Sequence, residues 1–362
     1  MFKVHESVLQ LGKPPSDVSG QGALTELRAS LGYSGEPASL ANFQIDRVSL
    51  PSIAGSPSSL ETILGSAEAE KMLEILRSKI LTFGEVEAKL KGSSLRKPYF
   101  DPCLRKGGTE YQQFIRRLLQ SNLIDFRLSV REKAGLFVVW KKSGKQRLVV
   151  DARRSNCWFG SPCPVKLATG SSFAQIEVDH ADPIELAGVD IADAFYGIEL
   201  PDEFRDLFGL APLTAEQAGI SMVQGAPVAR DQVVFPVFRV VPMGWTHALW
   251  ICQQCHEKVV DSISTIPPAL RFHDGAPIPA PRPFLHTQYV DNYIAISQEH
   301  GIAGKSAHDV AQALNQRGLP THDVEDDIGG ETLGWKFSDT AAQVTMTPRR
   351  LWKLRLGVLE LL

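Results

Sequence analysis

Apolar residues recur at three- and four-residue spacing through Leu60, Ile63, Leu64, Met72, Leu73, Ile75, Leu76 and Ile80, and again through Phe114, Ile115, Leu118 and Leu119. Both runs predict helices, the second over 110–123 with Asn122 near its end. Within 135–151 the pattern switches to two β-rich runs joined by Lys142-Ser-Gly-Lys145, which predicts a hairpin with a Ser-Gly turn and basic residues at its tip. Leu186-Ala-Gly-Val-Asp-Ile191 reads as a short apolar strand bearing a carboxylate near its end. A helix is expected over 245–260, with Leu249, Cys252, His256 and Val259 or Val260 on one face. A Pro-rich loop at 267–283 then precedes a strand over 288–297. A helix over 307–317 is stopped by Gly318 and Pro320, a final hairpin uses 333–337 and 343–346, and a last helix begins near Pro348. Residues 1 to about 60, rich in Ser, Gly and Pro, predict a loosely ordered leader. Strands and helices in this mixed order predict an α+β fold, with helices on one face of a mainly antiparallel sheet. No internal repeat is evident.

Composition narrows the picture. A chain of 362 residues has room for two or three domains, and 43% hydrophobic with 22% charged residues is ordinary for a globular protein. No apolar run approaches the roughly 20 residues of a membrane span, and the first residues lack the layout of a secretory signal. Five cysteines, an odd number, suggest reduced thiols and an intracellular protein of cytoplasm or nucleus. The net charge of −3 conceals an asymmetry: the stretch from Arg96 to Arg154 is +10 and the remainder −13. Such a division suits a protein that grips phosphates in one place and holds cations in another, although a solvated basic face has the same signature.

Two carboxylates stand out. Asp190 and Asp291 each lie on or just after a short apolar strand. If those strands are neighbours in one sheet, both carboxylates share an edge and can bind hard cations through oxygen. Taken singly, each is a plausible cap or turn residue, and Asp291-Asn292 is ordinary turn chemistry.

Five blocks in chain order resemble motifs of reverse transcriptases. Lys145-Gln-Arg-Leu-Val-Val-Asp-Ala-Arg-Arg-Ser-Asn156 resembles the fingers strand, and Val189-Asp-Ile-Ala-Asp-Ala-Phe-Tyr196 the first catalytic motif. Phe238-Arg-Val-Val-Pro-Met-Gly-Trp245 resembles the Leu-Pro-Gln-Gly segment, Gln288-Tyr-Val-Asp-Asn292 the Tyr-x-Asp-Asp hairpin, and Leu333-Gly-Trp335 the Leu-Gly turn of the primer grip. The resemblance covers roughly residues 96–338, about two thirds of the chain. The resemblance implies an RNA-directed DNA polymerase of a retroelement, such as a retrotransposon, with right-hand architecture. It implies a leader at 1–90, loosely ordered and then helical, fingers at 91–165, a palm with the catalytic sheet at 166–338, and the start of a truncated thumb at 339–362. Asp190 and Asp291 would hold two Mg²⁺ (or Mn²⁺) ions, with Asn292 as their catalytic neighbour. Lys141 or Lys142 and Arg153 would hold the incoming triphosphate, and Asp193 and Ala194 would offer backbone amides. Phe195 would sit beneath the sugar and exclude a 2′-hydroxyl, Met243 and Gly244 would touch the nucleotide, and Leu333, Gly334 and Trp335 would grip the primer. The implied partners are an RNA or DNA template-primer and deoxynucleoside triphosphates, with no membrane.

The departures from the family pattern are equally specific. Asn292 replaces a second Asp, which keeps an oxygen donor but removes a charge. Met243 replaces Gln, and His247-Ala-Leu249 replaces a small-Ser-Pro run. They imply either an active polymerase or a descendant that only binds nucleic acid. Cys252-Gln-Gln-Cys255-His256 matches a haem-attachment spacing, but it falls inside the expected 245–260 helix, where it reads as core filler.

Overall fold

Buried and partly exposed positions alternate along Glu185–Asp190, the strand that carries Asp190, whereas the strands on either side of residues 290–291 are buried along almost their whole length. The computed structural model describes residues 12–16, 18–29, 40–51, 56–92, 97–104, 108–141, 143–177, 182–278, 284–340 and 344–360. Arg96 and Lys142, named above, lie outside the described residues, as do 1–11, 279–283 and position 343 of the expected final hairpin. From the N terminus, helix α1 (Gly20–Ala29) and strand β1 (Leu40–Ala41) precede helices α2 (Leu60–Leu64), α3 (Ser66–Ser78), α4 (Phe83–Lys91) and α5 (Thr109–Gln120). Strands β2 (Ile124–Arg127), β3 (Gly135–Trp140), β4 (Gln146–Asp151) and β5 (Glu185–Asp190) follow. Short strands β6 (Leu213–Thr214), β7 (Met222–Val223) and β8 (Ala226–Pro227) lead to β9 (Val233–Phe238) and helix α6 (Ala248–Asp261). The remainder carries β10 (Phe284–Tyr289), β11 (Asn292–Ser297), α7 (Ile302–Gln316), β12 (Glu325–Ile328), β13 (Gly330–Thr332), β14 (Trp335–Phe337), β15 (Val344–Met346) and α8 (Pro348–Leu359).

The central sheet has the order β10-β11-β5-β12, and every pairing in it is antiparallel. Ala187, Val189, Tyr293 and Ala295 point to one face, where α6 and α7 cover them. Leu186, Ile294 and Ile296 point to the other and pack with Phe173, Phe272 and Phe337. Buried Glu185 anchors β5 to α7: its carboxylate accepts from the Gly301 and Ala303 N–H groups at 2.9 and 3.1 Å. That places an anion where the helix exposes unpaired donors. The fold is α+β, a mixture of helices and several small antiparallel sheets.

Two expectations change in detail. The apolar run at 288–297 is not one strand but the end of β10, a turn at Val290-Asp291, and β11. Val290, a strand-former, takes the positive φ of 61° on which the turn depends. The Ser-, Gly- and Pro-rich N-terminal stretch contains α1, which packs on α8, and β1, which pairs with β3. Phe43 and Val48 from this stretch are buried in the main core. Among the described residues, no helix is long and apolar enough to cross a membrane.

Candidate active site

Alternation along β5 sends Asp190 to the same face as Leu186, away from α6 and α7. Asn292 opens β11 directly opposite Asp190, and the Ile191 N–H donates to Asp291 O at 2.9 Å. Asp190, Asp291 and Asn292 therefore meet at one end of the sheet. Asp190 Oδ1 is buried and has no hydrogen-bond partner among the described residues. Burial, and then the neighbouring charge of Asp291, raise the Asp190 carboxyl to about 6. The His322 ring, its Nε2 3.9 Å from Oδ2, works against that rise, and separately its backbone N–H donates to the Asp190 backbone O at 2.9 Å. Burial also pushes Asp291 up, while its own N–H, the Asn292 amide donating at 3.2 Å, and Arg147 hold it down. A buried oxygen without a donor, beside a second strained carboxylate, fits a hard divalent cation. Among the described residues no group of three or more His, Cys, Asp or Glu is placed to hold a metal ion.

The turn that aims Asp291 is clamped from below by α6. Gln253, 1% exposed, accepts from the Val290 N–H at 2.8 Å and donates to Gln288 O at 2.9 Å, fixing the chain where β10 runs into the turn. His256 Nδ1 donates to Val290 O at 3.0 Å. Its other ring nitrogen has no hydrogen-bond partner among the described residues, and burial lowers its pKa to about 4. The Cys252-x-x-Cys255-His256 spacing thus belongs to a buried structural helix.

A cavity of about 570 Å³ opens above the carboxylates. Asp190, Asp291, Asp193, Ala194, Phe195, Met243 and Gly244 line it, and Lys141 and Arg147 of the β3–β4 hairpin face them. Asp193 stands at φ 50° and starts a single helical turn, Ala194–Gly197. Burial lowers the Lys141 pKa, and the Asp193 charge counters this. Gly244, at φ 126°, has no room for a side chain: a Cβ there would stand 2.2 Å from Val150 O. Asn156 fastens the same segment, donating to Gly244 O at 3.0 Å and accepting from the Thr246 N–H at 3.0 Å.

Other residues singled out in the sequence lie elsewhere. Arg153 forms a two-pronged ion pair with Asp151, both contacts 2.7 Å, and lines a separate cleft of about 500 Å³ with Tyr99, Phe137 and Gly244. Leu333 and Gly334 form the β13–β14 turn, held by Arg350, which donates to Leu333 O at 2.8 Å. Trp335 stacks on Phe173, ring centres 6.0 Å apart, under the Arg350 guanidinium. A third cleft, about 460 Å³, runs from Asp190 and Asn292 past Asp323, Glu325 and Asp327 to Thr332. Three cavity residues were missed in the sequence: Ser49, Arg147 and His322. Only Arg147 had a readable signal, since alternation with buried Gln146 and Leu148 turns it outward.

No protein-family model matches the chain, and no curated protein matches it. Among solved structures, a foamy viral protease–reverse transcriptase in complex with double-stranded DNA is similar at 14% identity and a TM-score of 0.45. The match covers 66% of this chain and 34% of that one, so this chain spans about a third of its length. A likeness of that degree assigns no activity.

Proposed function

We propose that the chain is a template-directed DNA polymerase of the reverse-transcriptase kind, with the β3–β4 region as fingers and the β5–β10–β11–β12 sheet as palm. The observation that carries this reading is the meeting of Asp190 and Asp291 in one cavity with Lys141 and Arg147. Opposed walls of carboxylate and fixed cation suit a ligand that is itself polyanionic and metal-bound. Two Mg²⁺ (or Mn²⁺) ions held by Asp190 and Asp291, with the Asn292 amide oxygen beside them, would neutralise charge on the attacking and leaving oxygens. Lys141 and Arg147 hold the triphosphate of a deoxynucleotide. The Ala194 backbone and Asp193 border the phosphates, and the Phe195 ring occupies the space that a 2′-hydroxyl would need. The primer 3′-hydroxyl then attacks the α-phosphorus in line, the new P–O bond forms, and pyrophosphate leaves. The Arg153 cleft, on the other side of Gly244, receives the template, and the β13–β14 turn borders the primer.

A second reading, a domain that binds nucleic acid without catalysis, is favoured by one contact. The Asn292 amide donates to Asp291 Oδ1, occupying a carboxylate oxygen that a cation would otherwise use. Primer extension on an RNA template in Mg²⁺ and in Mn²⁺ separates the two. Extension by wild type, reduced about 10²–10³-fold or more in Asp190→Ala, supports the polymerase. Activity that appears only in Asn292→Asp marks a polymerase disabled at one carboxylate. Silence from all three, with salt-sensitive nucleic-acid binding, supports the binding domain.

A further inference from the structure

The wall of the cavity that carries Lys141 and Arg147 is held from behind by residues 40–50, which no motif touches. Gln146 is wholly buried, and its side chain serves only that segment: Nε2 donates to Asn42 O at 2.7 Å and Oε1 accepts from the Gln44 N–H at 2.9 Å. Its backbone oxygen accepts from the Ser49 N–H at 2.8 Å. Arg117 adds contacts to Val48 O, at 3.0 Å, and to Ile45 O. At the hairpin tip, the Arg47 guanidinium lies 5.6 Å over the Trp140 ring and reaches Gly144 O at 3.4 Å. A two-stranded hairpin is marginal alone, and β1 supplies its third strand. Since neighbouring side chains in β4 point to opposite faces, a fixed inward Gln146 fixes Arg147 outward. Ser49, at the end of the same segment, lines the cavity beside them.

We propose that 40–50 is a working part of the triphosphate site: Gln146 and Arg47 are positioning residues for the hairpin, and the Ser49 hydroxyl is a further donor to phosphate. The identity of the ligand rests on the polymerase reading; the brace itself does not. The test uses the full chain. Hydrogen exchange is followed at the hairpin amides, Lys141 and Gly144, and at the β11 amides, in wild type, Arg47→Ala and Gln146→Met. Hairpin exchange should rise roughly tenfold in Gln146→Met, which keeps shape but loses both side-chain hydrogen bonds, and severalfold in Arg47→Ala, with β11 unchanged. Wild-type hairpin exchange in Arg47→Ala and in a folded Gln146→Met overturns the brace. If Gln146→Met loosens every strand together, the exposed Arg47→Ala decides alone. With Mg·dTTP as probe, Ser49→Ala should weaken binding about five- to tenfold, and unchanged affinity overturns its role as a donor. In primer extension, Arg47→Ala should raise KM for dTTP and leave kcat within about twofold; a fall in kcat at constant KM overturns the positioning role. A wild type that binds no Mg·dTTP while the exchange coupling persists ends the polymerase reading and the Ser49 role but upholds the brace.

Discussion

Two turns of the same length are built in opposite ways. The β13–β14 turn has Leu333 and Gly334 at φ 46° and 79°, the both-positive form in which glycine is a usual occupant, and the β7–β8 turn repeats it with Gln224 and Gly225 at 50° and 81°. The β10–β11 turn places Val290 at φ 61°, where a β-branched residue is a genuine outlier. Leu333 is held by a half-exposed arginine, Arg350. Val290 is 1% exposed and held on both its N–H and its oxygen by Gln253 and His256. Strain persists only where surroundings over-determine it, and here it persists in the turn that aims Asp291. The difference separates a turn held by one surface contact from one whose buried clamp fixes where the Asp291 carboxylate stands.

Acid should separate the two turns most. Burial lowers His247, His256 and His286 to about 4 from 6.5. Between those values the unfolded chain binds protons that the folded chain refuses. Stability is therefore complete above about pH 6.5 and is lost as pH falls toward 4, by up to about 3 kcal/mol for each ring. Asp190, raised to about 6 from 3.8, acts in the other sense, adding stability that is full below 3.8 and gone above about pH 6. It offsets part of the loss. Unfolding free energies from urea titrations at pH 7.5, 6 and 4.5 should fall by several kcal/mol in total, and amide exchange at Val290 should rise before that at Thr347, which bonds Gly334 O. A flat stability profile would mean that the rings are not held neutral.

Removing the clamp by chemistry is the next largest effect. Gln253→Leu keeps the volume but leaves the Val290 N–H and Gln288 O buried without partners, costing about 2–4 kcal/mol. Because the lost contacts lie directly beneath Asp291, primer extension should fall further than the change in stability accounts for. Arg350→Leu, at the other turn, should cost about 1 kcal/mol and leave the chemical step unchanged. Equal effects on extension would remove the distinction between the turns.

How much of this was legible in the chain follows from the same contrast. Where the apolar pattern carried the information, as in β5 and in the two β-rich runs of the hairpin, the residues predicted the strands and put Asp190 near the end of one of them. The motif points to Arg153, past the end of β4, where period two no longer fixes a face, and there the guanidinium pairs with Asp151. Gln253 sits on a helix with nine buried residues, so its polarity had no exposed face to announce it. Residues 40–50 bury little more than Ala41, Phe43 and Val48, too few for periodicity to register against their Ser, Gly and Pro surroundings. Their order comes from hydrogen bonds to Gln146 and Arg117, long-range partners that no local pattern encodes.

The smallest effect is also the one whose sign is most informative. Glycine accepts positive φ without strain, so the same substitution at two turns relieves about 1–2 kcal/mol at each and adds about 0.5–1 kcal/mol of chain entropy to the unfolded state. At exposed Gln224 nothing else is lost, and Gln224→Gly should stabilise the fold by up to about 1 kcal/mol. At Val290 the buried isopropyl group goes too, a loss of about 1.5–3 kcal/mol, so Val290→Gly should destabilise by about 1–2 kcal/mol. Chemical denaturation of the two variants side by side reads both signs. If Val290→Gly also stabilises, the packing under Asp291 is not what holds the strained valine in place, and the hydrogen bonds of Gln253 and His256 must do so alone.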